Sequence, residues 1–192
     1  MRKLDLQEIR GPERYAAARD QARRDVIALK RARRVSVGPQ VTLVFENRET
    51  MRFQIEEMCL VEGIVEPDKI QHEVDTYNAI LPEEGALGAT LFVEVMSEKA
   101  LRNVLDKLVG LHEHVWLVVA GERVKAAFDP DQFTTDKLAA VQYLKLPLTA
   151  PARAALARPG TELKLAIDHE AYRHETTLSE ETRAELARDL ES

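Results

Sequence analysis

Cysteine is almost missing: Cys59 is the only one in 192 residues, which excludes an internal disulfide framework and any zinc cage built on thiolates. Glycine is scarce too, at eight residues with no dense cluster. Neither a Gly-x-x-x-x-Gly-Lys loop nor a Gly-x-Gly-x-x-Gly fingerprint is available to cradle nucleotide phosphates. The Gly-x-Ser-x-Gly elbow of α/β-hydrolases and the His-Glu-x-x-His pair of zinc proteases are absent as well. No stretch approaches the roughly 20 apolar residues that a membrane helix needs. The opening Met1-Arg2-Lys3-Leu4-Asp5 carries an acid at once, with no apolar run behind it, unlike a secretory signal. The cytoplasm is the expected compartment.

What is present is ordinary for a folded protein: 45% hydrophobic and 31% charged residues, too apolar for disorder and enough for a core in one domain spanning residues 1–192. The net charge of −6 is unevenly spread. Residues 1–34 hold 11 basic and 5 acidic side chains, the remainder 16 and 28. Such asymmetry marks either a basic arm for an anionic partner or a helix whose cations are solvated and complement its own dipole. The acidic remainder weighs against nucleic acid.

Periodicity predicts the elements. A basic helix over about 13–34 is signalled by Pro12 and by Tyr15, Ala18, Ala22, Val26 and Leu29 on one face. Asp20 with Arg24, and Arg52 with Glu56, stand four apart as surface pairs would. Val35–Pro39 reads as a break and Val41–Phe45 as a strand. Asn47 caps a helix over about 48–63, Pro67 opens another, and Ala89–Val95 alternates as a strand with Glu94 inside it. Ser97 caps a helix ended by Gly110, and 115–120 with 124–128 forms a hairpin. Strands at 140–146 and 162–167 follow, with Trp116 expected in the core and a helical tail over about 180–190 capped by Ser179. The fold class is α+β: a mainly antiparallel sheet of about five to six strands with helices packed on it.

Three positions carry candidate chemistry. Ile167–Glu175 follows a strand and brings together Asp168, His169, Tyr172 and His174, where a carboxylate could fix an imidazole tautomer. Gln54 and Glu57 border the apolar stripe of the second helix, where a half-buried carboxylate can bind a ligand or act as a base. Glu94 interrupts an apolar strand. Were these to converge, Glu57 and His169 would be the metal ligands, suiting iron, zinc or manganese. The pair His112 and His114 reads as incidental, and Cys59 as a small buried hydrophobe.

The order of motifs resembles a bacterial family of about 190 residues without an assigned activity. The matching pieces are Arg33-Arg34-Val35-Ser36-Val37-Gly38-Pro39, Met51-Arg52-Phe53-Gln54-Ile55-Glu56-Glu57-Met58, Tyr77-Asn78, Pro82, Ala89-Thr90-Leu91-Phe92-Val93-Glu94 and Ile167-Asp168-His169-x-x-Tyr172. Members are often encoded beside a rubrerythrin-like protein and an iron–sulfur oxidoreductase. The resemblance implies an accessory role in iron or peroxide metabolism and supplies no catalytic residues. Two readings follow. One is a non-catalytic accessory or binding protein that docks on a redox partner through its basic first helix. The other is a metal- or ligand-binding protein, enzymatic or not, built on Glu57, Glu94, Asp168 and His169. Cofactor and homo-oligomeric state stay open.

Overall fold

The structure is a computed structural model describing residues 1–129, 133–134 and 137–191. The chain runs α1 (Pro12–Arg31), β1 (Arg34–Val37), β2 (Val41–Glu46), α2 (Arg48–Val61), α3 (Pro67–Ile80), β3 (Ala86–Val93) and α4 (Glu98–Lys107). It continues through β4 (Val115–Val119), β5 (Glu122–Lys125), β6 (Ala127–Phe128), β7 (Phe133–Thr134), β8 (Lys137–Leu138) and β9 (Val141–Pro147). It ends with α5 (Ala150–Ala157), β10 (Leu163–His169), β11 (Tyr172–Thr177) and α6 (Glu180–Glu191).

Local chemistry starts the helices where expected. Pro12 stands in the first turn of α1. The Asn47 side chain accepts from the Thr50 N–H, Ser97 from Ala100 and Ser179 from Thr182, each satisfying a donor that the first helical turn leaves open. The first helix stops at Arg31 rather than Arg34, because Arg34 already pairs with Val44 in a strand.

Every described strand pair is antiparallel, so the α+β class holds, and the strands divide between two principal sheets. One runs β1-β2-β3-β9-β6, the other β11-β10-β4-β5. Only Ala126 separates β5 from β6, so one chain segment leaves the second sheet and enters the first. Along the other side, β11 is fastened to β1 by side chains. The Tyr172 hydroxyl donates to the Val37 carbonyl (2.7 Å) and accepts from the Gln40 and Val41 amides (3.0 and 3.1 Å), while Thr176 donates to the Ser36 carbonyl (2.8 Å).

Joined on both sides, the sheets enclose one apolar core. Leu43, Phe45 and Leu91 contribute from the first, and Leu117, Leu165 and Ile167 from the second; Leu111, Leu156 and Leu186 complete it. A smaller core of Leu4, Met51, Ile55, Cys59, Val74 and Tyr77 joins α2, α3 and the N-terminal segment. Asn78 ties that segment down, accepting from the Leu4 N–H and donating to its carbonyl.

Several local expectations are corrected. Residues 172–177 form a strand that the sequence pattern does not signal, so Asp168 and His169 end one arm of a hairpin. Only Tyr172 and the half-buried Thr176 escape exposure along β11, which leaves it no apolar period to read. Trp116 stands on the outer face of β4, since its neighbours Val115 and Leu117 take the core-facing positions. Glu94 lies just past the end of β3. Arg52 pairs with Glu49, while Glu56 is fully buried under a bidentate Arg10.

Candidate functional site

Each carboxylate singled out in the sequence lies in its own network. On α2, Glu57 accepts from the Tyr15 hydroxyl (2.6 Å) and from Nε and a terminal nitrogen of Arg19 (2.9 and 2.8 Å), fixing α1 against α2. The Arg19 hydrogen bonds hold its carboxyl at about 2, despite the opposing effect of burial. Burial and the Glu57 bond push the Tyr15 phenol well above its usual range. Gln54, one turn earlier, is half-buried and makes no side-chain hydrogen bond among the described residues. Glu94 takes the Arg34 guanidinium on both oxygens (2.7 and 2.8 Å) in the open. Burial raises the Glu94 carboxyl, but bonds from Thr42 and Arg34 outweigh it and the net shift is downward.

Asp168 and His169 are consecutive on β10 and face opposite ways. His169 is buried: its Nδ1 accepts from the Ala171 N–H (3.2 Å), which leaves the proton on Nε2 to donate to the Val109 carbonyl (3.0 Å). Tyr172 is likewise committed to the backbone of β1 and β2. Asp168 faces out and gathers His114 Nδ1 (3.1 Å), Trp116 Nε1 (3.0 Å) and Arg123 (2.6 Å). Burial works against its ionisation, but these three donors prevail and hold the carboxyl at about 2. Arg123 also stacks on Trp116 at 4.3 Å from the ring centre.

The carboxylate–histidine pair therefore forms with His114, not His169. Sequence reading missed His114, Trp116 and Arg123 as one group because cross-strand register assembles them: Ala166 pairs with Trp116, and the Asp168 amide donates to the His114 carbonyl. Among the described residues Glu57, Glu94 and Asp168–His169 share no partner. Among the described residues no group of three or more His, Cys, Asp or Glu side chains is arranged to hold a metal ion.

Acid should expose the Glu57 network directly. A carboxyl whose pKa falls from 4.5 to about 2 on folding stabilises the native state fully above 4.5. That contribution drains away as the pH drops toward 2. Glu57→Gln should thus be less stable than the parent at neutral pH, and the gap should close between pH 5 and about 2 in urea titrations followed by circular dichroism. A gap independent of pH would show that the charge of Glu57 contributes nothing.

The outer face of α1 is different in kind, because most of its cations form no salt bridge among the described residues. Among the described residues Arg14, Arg23, Lys30 and Arg31 form no salt bridge, although the Arg23 charge acts on Glu57 from a distance, and Arg24 bonds the Gln21 amide. Arg19 is the α1 cation consumed internally, by Glu57. Arg23, Ile27, Lys30 and Arg31 follow the spacing that puts side chains on one helical side. Ile27 stands among them 56% exposed.

Comparison with known proteins adds a family and a fold. The family described as "Protein of unknown function (DUF3501)" matches residues 3–190. A crystal structure of a novel protein of unknown function from Burkholderia pseudomallei K96243 is 36% identical. The match covers 98% of this chain and 100% of that one, with a TM-score of 0.92. No curated protein matches the chain.

Proposed function

The chain belongs to the DUF3501 family, and within it we propose a non-catalytic accessory protein that docks an acidic protein partner on the outer face of α1. The observation that supports this reading is the row of cations that form no salt bridge among the described residues, around an exposed isoleucine. Long-range attraction steers an acidic surface to such a face, and an apolar side chain at its centre supplies contact once water is expelled. The resemblance in the sequence points to a rubrerythrin-like or iron–sulfur redox protein as the partner, which would place the chain in iron or peroxide metabolism. The alternative, a metal or ligand site made of Glu57, Glu94, Asp168 and His169, would require side chains held in separate networks to release their partners first.

Charge reversal tests the docking. Against a purified rubrerythrin-like protein, binding should weaken steeply with salt. The double variant Arg23→Glu, Arg31→Glu should lose about tenfold or more in affinity, roughly 1.4 kcal/mol or more. Both residues are exposed, so thermal stability should hold within about 0.5 kcal/mol. An affinity indifferent to the reversal, or a preference for duplex DNA over the acidic protein, would overturn the reading.

A further inference from the structure

Far from the face of α1 in sequence, α3 and the short end of the first sheet leave a pocket of about 430 Å³, within the roughly 300–1,000 Å³ typical of small-molecule sites. It opens because β6 is only two residues long and because the side chains offered from α3 and β6 are partly small. Ala79 and Ala127 are both exposed, and Ile80, Phe128 and Leu144 line the rest of the apolar surface. The antiparallel register Ala127 with Lys145, and Phe128 with Leu144, sets these side chains beside one another.

The polar part of the lining is made by Thr76, Asp129, Tyr143 and Lys145, of which Lys145 is the cation. Lys145 approaches Glu83 only loosely, at 3.7 Å, and Glu83 is 76% exposed and shared at the same distance with Lys3. Two ammonium groups thus surround one well-solvated carboxylate. Tyr143 adds a phenol, kept protonated by burial and by the nearby Glu46 charge. Asp129 also lines the pocket and already has an interaction partner.

We propose that this pocket binds a small amphipathic monoanion, with an apolar chain or ring against Ala79, Ile80 and Phe128 and its carboxylate at Lys145. The proposal stands apart from docking on α1: neither surface shares a residue with the other. The apolar contact supplies most of the affinity, growing with each methylene it covers, and Lys145 selects the sign of the head group.

Sodium octanoate titrated into the full chain by calorimetry is the direct test. Saturable one-to-one binding is expected, weakened about tenfold or more by Ala79→Trp, which fills the pocket. Ala127→Trp serves as a second filling variant should the first not fold. Lys145→Met should weaken octanoate about fivefold and leave neutral octanol unchanged. The proposal fails if octanoate does not saturate, or if it binds equally well after either tryptophan is introduced. It also fails if octyltrimethylammonium binds better than octanoate, which would assign the polar end to Asp129.

Discussion

Asp189→Ala is expected to destabilise the fold by about 3–5 kcal/mol, the usual cost of stranding one member of a buried ion pair. Arg33 is 1% exposed, and its terminal nitrogens donate to both Asp189 oxygens (2.6 and 2.9 Å) and to Glu185 (2.9 Å). The Asn47 amide adds a donor to Asp189. These bonds tie α6, the last helix, to residues flanking β1 and α2. Without Asp189, a guanidinium remains in the interior with a single carboxylate, and its Nε already lacks a partner among the described residues. The loss would be read from urea midpoints. Replacing the pair by Arg33→Met with Asp189→Leu should recover much of it, because well-packed apolar side chains often match a buried pair in stability. A single-variant loss below 1 kcal/mol would mean that α6 moves and lets water reach Arg33.

Arg33 also shows where sequence reading stops. It lies in a run with Lys30, Arg31 and Arg34 that reads as one basic helix end, yet the run separates into three fates. Lys30 and Arg31 stay at the surface, Arg34 pairs with Glu94, and Arg33 is buried against an acid 156 residues away. Nothing local distinguishes a solvated arginine from a buried one; the distant carboxylate does. Where the signal is local, it carries through. Helical periods and capping side chains place α2, α4 and α6 within a few residues, alternation finds β3, and a dense apolar run before a turn finds β4. Among the strands that escape are β1 and β11: β1 is four residues long, with only Val35 and Val37 turned to the core, and β11 is almost wholly exposed and meets β1 through its Tyr172 and Thr176 hydroxyls.

The candidate chemistry divides in the same way. That residues 167–175 hold a carboxylate–histidine element is visible in composition, but which imidazole meets Asp168 depends on a register set by the β4–β10 ladder. The basic asymmetry of the first helix is visible as well. What turns it into a surface is the lack of salt bridges to it among the described residues, and that follows from the packing of α1 on α2, where Glu57 forms its salt bridge with Arg19 and reaches Arg23 only at longer range. Even Glu56, one residue from Glu57, is drawn to Arg10 from the segment before α1.

The seam between β1 and β11 carries the second large effect. Tyr172→Phe removes one oxygen and leaves the Val37 carbonyl and the Gln40 and Val41 amides without their partner, in a place where Tyr172 is 5% exposed. Unsatisfied buried groups cost about 1–3 kcal/mol each before relaxation, so a total loss of about 2–4 kcal/mol is expected. Gly38, in the turn that the hydroxyl pins, has φ +76°; a Cβ there would lie 2.5 Å from His174 Cγ and 2.6 Å from the Tyr172 hydroxyl. Gly38→Ala should therefore cost about 3 kcal/mol or more, adding steric overlap to the 1–2 kcal/mol of a left-handed alanine. Gly63 provides the comparison: its φ is +66°, and nothing lies within 4 Å of its Cβ position, so Gly63→Ala should show the backbone cost alone. Both losses are measurable by chemical denaturation of otherwise identical chains. Equal losses at Gly38 and Gly63 would show that the seam yields to an added methyl, and that Tyr172 does not hold the two sheets at a fixed separation.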